Sequence, residues 1–270
     1  MLRIVTGAIL LPLLWLTIKQ APPWAFIAVA LLVIGVAAGE CSSMLVTRGG
    51  RPFSLVGVVA SAAVAWSFGG YTPTFEVSLP LLLATLMTLG LSMRFRDEPR
   101  AMLESSFYTL FPVLFVGLPL GYLVRLRGIP GELGQDLLLL LFVCVILADT
   151  AAYYVGTTWG RHPMAPRLSP KKTWEGAAGA LVASLIGALI AHFWFYQRLP
   201  LEHALILGLV LGVAGILGDL AESLVKRATG VKDSSRLLPG HGGLLDRTDS
   251  LLFSGPILYY YARVFLWGSS

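Results

Sequence analysis

In the stretch GDLAESLVKR, Asp219, Glu222, Ser223 and Lys226 fall at i, i+3, i+4 and i+7, which places them on one stripe of a helix. Carboxylates gathered this way need a cation, and hard oxygen ligands suit Mg²⁺. Three other places share the setting. LADTAAYYVG ends an apolar run with Asp149 and carries Tyr153 one turn later on the same face. LSPKKTWEG brings Lys171, Lys172 and Glu175 to the start of the next run. Asp246 and Asp249 stand at i and i+3 just after a PGHGG turn containing Gly240, His241, Gly242 and Gly243. Ionisable groups at the ends of apolar spans are costly unless they face a protein interior or a wet cavity, so each marks a candidate site. With Lys172, Lys226, Arg227, Lys232 and Arg247 close in sequence to hold the remaining phosphate charge, acids plus metal point to a polyphosphate substrate. The glycines before the last apolar run would let backbone N–H groups approach an anion closely.

Each residue also has a plainer reading. Asp249 and Glu175 taken singly are acids that favour a helix N-terminus. Asp219 and Glu222 sit near a helix C-terminus, where the dipole disfavours them, so the plain alternative is an ion-pair net with Lys226 and Arg227. His241 reads as a structural donor or a phosphate contact. Tyr153 reads equally as an interfacial anchor and as a substrate contact. Ser169 before Pro170 is expected to cap the following helix, with proline at its first position. Gly208, Gly212, Gly215 and Gly218 form a stripe suited to close helix packing.

The elements that must position these residues are membrane helices. Hydrophobic residues make up 56% of the 270 and charged ones only 13%. Continuous apolar runs of roughly 17 to 25 residues match a hydrocarbon core about 30 Å thick, and they do not alternate as barrel strands would. Nine spans are expected, near 3–19, 23–41, 53–69, 78–93, 104–124, 135–156, 174–197, 201–226 and 245–267. The first is read as a retained helix and not a cleaved leader, since its cationic start is only Arg3. Five helices then occupy 1–134 and four occupy 135–270, in one membrane-embedded unit. Fifteen of the twenty Lys and Arg fall on the side shared by the N-terminus and the even loops. The positive-inside rule makes that side cytoplasmic, in the cell's inner membrane. All four acidic places then lie at cytoplasmic helix ends. The basic balance, with a pI near 9.4, is read as a complement to anionic headgroups and phosphates, with no nucleic-acid partner. Cys41 and Cys144 lack the close spacing of a metal or redox pair and read as packing residues. No repeat is evident, which disfavours a transporter.

The stretch SLVKRATGVKDSSRLLPGHGGLLDRTD, Ser223 to Asp249, resembles the signature of the phosphatidate cytidylyltransferases, and DTAAYYVG, LSPKKTWEG and GDLAES resemble the same family's C-terminal half. The resemblance covers roughly residues 145–250. It implies the reaction of CTP with phosphatidate to give CDP-diacylglycerol and pyrophosphate at a cytoplasmic face, within phospholipid biosynthesis. It also implies a metal centre for which Asp219 and Asp246 hold the matching positions, with Mg²⁺ expected and a monovalent ion such as K⁺ beside it as an option. Chemistry at a phosphate fits the residues: a phosphomonoester with a second pKa of about 6 is already an anion, so no strong general base is required. Asp219, Asp246 and Asp249 are therefore assigned to metal. Lys226, Arg227, Lys232, Arg247 and Lys172 are assigned to phosphates, with Ser223, Lys171, His241, Gly242 and Gly243 as further substrate contacts. Glu175, Asp149 and Tyr153 complete the set. The rival readings are a CTP-dependent lipid kinase, a cytidylyltransferase for another lipid, and a cation or lipid transporter. A homodimer is compatible with the sequence.

Overall fold

The structure is a computed structural model that describes residues 14–47, 49–69, 77–235, 237 and 242–266. A chain segment in hydrocarbon must satisfy its own backbone hydrogen bonds, and the apolar runs do so as helices. These are α1 (Pro23–Thr47), α2 (Ser54–Ser67), α3 (Ser78–Phe95), α4 (Pro99–Pro112), α5 (Leu118–Arg127), α6 (Leu133–Trp159), α7 (Trp174–Ile190), α8 (Leu201–Thr229) and α9 (Asp249–Tyr261). A π turn, Val113–Gly117, follows Pro112 and joins α4 to α5 as one rod; another, Ala191–Phe195, extends α7. Among the described residues six helical rods are long and apolar enough to cross a membrane: α1, α3, α4–α5, α6, extended α7 and α8. The protein is an all-α, multi-pass membrane protein. The expected first span, 3–19, falls largely outside the described residues, of which 14–19 are helical.

The expectation at Ser169 is overturned. Ser169–Thr173 is a strand, β2, paired antiparallel with β1 (Pro163–Ala165), with Pro163 opposite Thr173 and Ala165 opposite Ser169. A two-stranded hairpin has a free edge on each strand, so Pro170 can sit in it without removing a ladder hydrogen bond. The cap of α7 is instead Thr173, whose hydroxyl accepts the Gly176 N–H at 3.2 Å.

The glycine stripe on α8 packs against two neighbours. A Cβ at Gly208 or Gly212 would crowd Leu185, Leu181 and Ser184 of α7. One at Gly218 would overlap the backbone carbonyl of Asp249 on α9. Small residues thus let α8 lie backbone-close between α7 and α9. At its far end α8 stops at Gly230, left-handed at φ +77°, where Gly230 N–H and Val231 N–H donate to the carbonyls of Arg227 and Lys226. In the N-terminal half, α1 buries Ile27, Ile34, Ala37, Cys41 and Met44. It also reaches α8 and the short 3₁₀ turn Leu245–Arg247. Cys41 and Cys144 are both buried free thiols, as packing residues should be.

Candidate active site

The close approach at Gly218 has a chemical result one residue on. Asp219 and Glu222 from α8 meet Asp249 from the start of α9, and one carboxylate oxygen from each lies within 4.8 Å of the others. Glu222 is fully buried, and among the described residues neither of its oxygens accepts a hydrogen bond. Among the described residues the cation that offsets it is the Lys226 ammonium, 2.5 Å from Oε2 in an ion pair one turn along the helix. Three oxygen-only donors with such a bare carboxylate among them suit a hard divalent cation.

Cations ring this group. Lys172 from β2 pairs with Asp219 at 2.7 Å, and Lys226 reaches Asp246 Oδ1 at 2.7 Å as well as Glu222. Asp246 was expected among the metal ligands. The structure sets it beside the three acids but engages it elsewhere. Its Oδ2 accepts from Gly243 N–H at 2.7 Å, Ser234 N–H at 3.0 Å and the Ser234 hydroxyl at 2.9 Å. Burial alone would raise the pKa of Asp246, but the Lys226 ammonium and the Gly243 N–H outweigh it and hold it at about 2. Gly242 is required at the turn, because φ is +77° and a Cβ would press on the Asp246 carboxylate. Asp149 on α6 receives the Ser250 hydroxyl at 3.1 Å and adds a fifth acid to the neighbourhood.

Most of these groups border a cavity of about 930 Å³, within the range of small-molecule sites, though the fully buried Glu222 is not part of its lining. Asp149, Tyr153, Lys171, Lys172, Asp219, Lys226, Gly242, Asp246, Arg247 and Asp249 all line it. Val145, Ala148, Ala180, Leu211 and Ile216 add apolar side chains to the lining. Several expected residues stand apart. Glu175 accepts the backbone N–H groups of Arg161 and His162 and the His162 ring, so it braces the approach to the hairpin. Arg227 donates to the Leu168 carbonyl at 2.9 Å and holds the hairpin turn. Lys232 is exposed and Ser223 buried, neither on the cavity wall. His241 lies outside the described residues.

A cavity lined by acids, cations and apolar side chains together can hold a phosphorylated amphiphile beside a metal-bound polyphosphate. Comparison with known proteins narrows this. The model of the family described as "Cytidylyltransferase family" matches residues 1–265. The chain belongs to the cytidylyltransferase family. Among curated relatives, the phosphatidate cytidylyltransferase of Bacillus subtilis (strain 168) is 40% identical over 164 residues, 60% of each chain. That of Staphylococcus saprophyticus is 39% identical over 183 residues, 68% of each chain. That of Synechocystis sp. is 34% identical over 215 residues, 77% of this chain and 63% of the relative. The aligned parts thus span about three fifths to two thirds of these three relatives' own lengths.

Two site residues of this cytidylyltransferase went unassigned in the sequence. Glu222 lies on the recognised stripe, but Lys226 one turn on supplies an obvious partner and hides its place among the three acids. Glu40 lies in α1, a helix without a family motif, yet it reaches the loop that carries Asp246. Its signal was available, since it is the one acid in an otherwise apolar 25-residue helix.

Proposed function

We propose that this protein is a phosphatidate cytidylyltransferase that joins CTP and phosphatidate to give CDP-diacylglycerol and pyrophosphate. The observation that carries the reading is the cluster of Asp219, Glu222 and Asp249 with Lys172 and Lys226 paired to it, at a cavity that Asp219, Asp249 and both lysines line together with apolar side chains. Family membership and the relatives' names support it. Asp219, Glu222 and Asp249 are the residues that would hold Mg²⁺, with Asp246 next to them, and a monovalent ion such as K⁺ could share the acidic wall. A bound Mg²⁺ would neutralise developing charge on the phosphate oxygens. Lys172, Lys226 and Arg247 hold the remaining phosphate charge, and Lys171 extends that basic wall. The apolar side chains take the glycerol end of the lipid and keep water from the reacting phosphate. The phosphatidate phosphate is already an anion at neutral pH, so attack on the α-phosphorus needs placement more than proton removal.

The membrane arrangement belongs to the same reading: nine crossings, the N-terminus in the cytoplasm, and the cavity at the cytoplasmic face of the inner membrane, where CTP is found. The fifteen-to-five split of Lys and Arg supports it. The test is purified full-length protein with labelled CTP, phosphatidate and Mg²⁺. CDP-diacylglycerol and pyrophosphate are expected together, and only with metal. Label recovered solely on a phosphorylated lipid without the cytidine would overturn the reading in favour of a kinase.

A further inference from the structure

Glu40 is buried at 7% exposure, in a helix that lines no part of the cavity. A carboxylate there is costly unless it is fully hydrogen-bonded. Among the described residues four donors meet it, all neutral. Oε1 accepts the Ser235 hydroxyl at 2.6 Å and the Leu244 N–H at 3.0 Å; Oε2 accepts the Leu245 N–H at 2.8 Å and the Ser234 hydroxyl at 3.0 Å. The two serines and the two leucines flank Gly242 and Gly243, so one side chain from the N-terminal half fastens both flanks of the turn. The Ser234 hydroxyl has a single proton, shared between Glu40 Oε2 and Asp246 Oδ2. Asp246 follows Leu245 directly and binds Lys226 through its other oxygen. Gly243 leaves room for the arrangement, since a Cβ there would overlap both Ser234 Oγ and Glu40 Oε2.

We propose that Glu40 is a positioning residue for the reaction: it sets the place of Asp246, and through Asp246 of Lys226, without touching substrate. This rests on the cytidylyl-transfer reading. The requirement is for acceptors and not for size. In the Glu40→Gln variant one oxygen becomes an NH₂ group, which cannot accept the Leu244 or Leu245 N–H that faces it, while the serine hydroxyls can rotate to adapt.

The test uses full-length protein carrying Glu40→Gln, Ser234→Ala, or both. Glu40→Gln is expected to lower kcat about 10- to 100-fold, the effect of a small misplacement of reacting groups. KM for CTP should change less than about threefold, and the Mg²⁺ midpoint should hold, because Asp219, Glu222 and Asp249 are untouched. The double variant should be no slower than the worse single one, since both act on one chain of hydrogen bonds. Hydrogen–deuterium exchange of the Leu244 and Leu245 amides should quicken about tenfold or more in Glu40→Gln. A kcat within twofold of the parent, or multiplied losses in the double variant, would overturn the proposal. If the parent makes no CDP-diacylglycerol, the functional reading fails on its own, and the exchange measurement still decides the Glu40 anchor: unchanged rates at both amides refute it.

Discussion

Lys226 offers the sharpest quantitative test, because one ammonium serves two carboxylates. It lies 2.5 Å from Glu222 and 2.7 Å from Asp246, and the three side chains are 14%, 0% and 11% exposed. Lys226→Met keeps the length and apolar stem of the side chain and deletes only the charge. Two buried carboxylates then face each other and Asp249 with no cation between them. Removing one partner of a buried pair destabilises by about 3–5 kcal/mol, against a total for folded domains of roughly 5–15 kcal/mol. At about 2–4 °C per kcal/mol for a chain of this size, the melting midpoint in detergent with chelator should fall by about 6–20 °C. The double variant Lys226→Met, Glu222→Gln removes the orphaned charge with its partner and should recover at least half of that loss. Added Mg²⁺ should raise the midpoint of Lys226→Met more than that of the parent, since the variant's site is more negative. The reasoning is refuted if Lys226→Met melts within about 2 °C of the parent, or if adding Glu222→Gln lowers the midpoint further.

Asp219→Asn and Asp249→Asn should each reduce CDP-diacylglycerol formation by at least about 100-fold and shift the Mg²⁺ requirement upward, as read from product formed across a metal titration. Gly218→Leu would drive a side chain into the Asp249 backbone, so loss of both activity and about 3 kcal/mol or more of stability is expected by thermal melting. Asp246→Asn should destabilise by about 1.5–3 kcal/mol, with a defined pH dependence. The folded carboxylate sits at about 2, below an unfolded value of about 3.9, so its contribution is complete above the unfolded value and vanishes as pH falls through the folded one. The difference between Asp246→Asn and the parent should stay constant from about pH 5 to 9 and shrink only below about pH 4, as measured by melting across that range.

The helices were legible because hydrocarbon leaves a continuous apolar run no other way to satisfy its backbone. The hairpin was not, because Ser169–Pro170 carries the same letters as a cap and only pairing with Pro163–Ala165 distinguishes them. Most of the cavity wall could be read from helix-end acids and neighbouring lysines, since desolvation makes such groups conspicuous. What escaped was the division of labour among the acids. Asp246 and Glu222 have the same charge and lie close to the same lysine, so only the loop's donors show which carboxylate is occupied and which is bare. Glu40 escaped for a different reason. Its partners are 194 to 205 residues away, and no local pattern encodes a contact closed by the packing of two halves.

The contact between Gly218 and the Asp249 backbone also governs how the site responds to motion. The two helices stay joined well beyond it: the Ser254 hydroxyl reaches the Leu211 carbonyl at 3.5 Å, and the His203 ring meets the Tyr261 hydroxyl at 2.6 Å. Asp219 and Asp249 lie at the touching point itself. A bilayer that thickens, thins or tilts these helices would therefore carry them as one body and leave the spacing between the two aspartates nearly still.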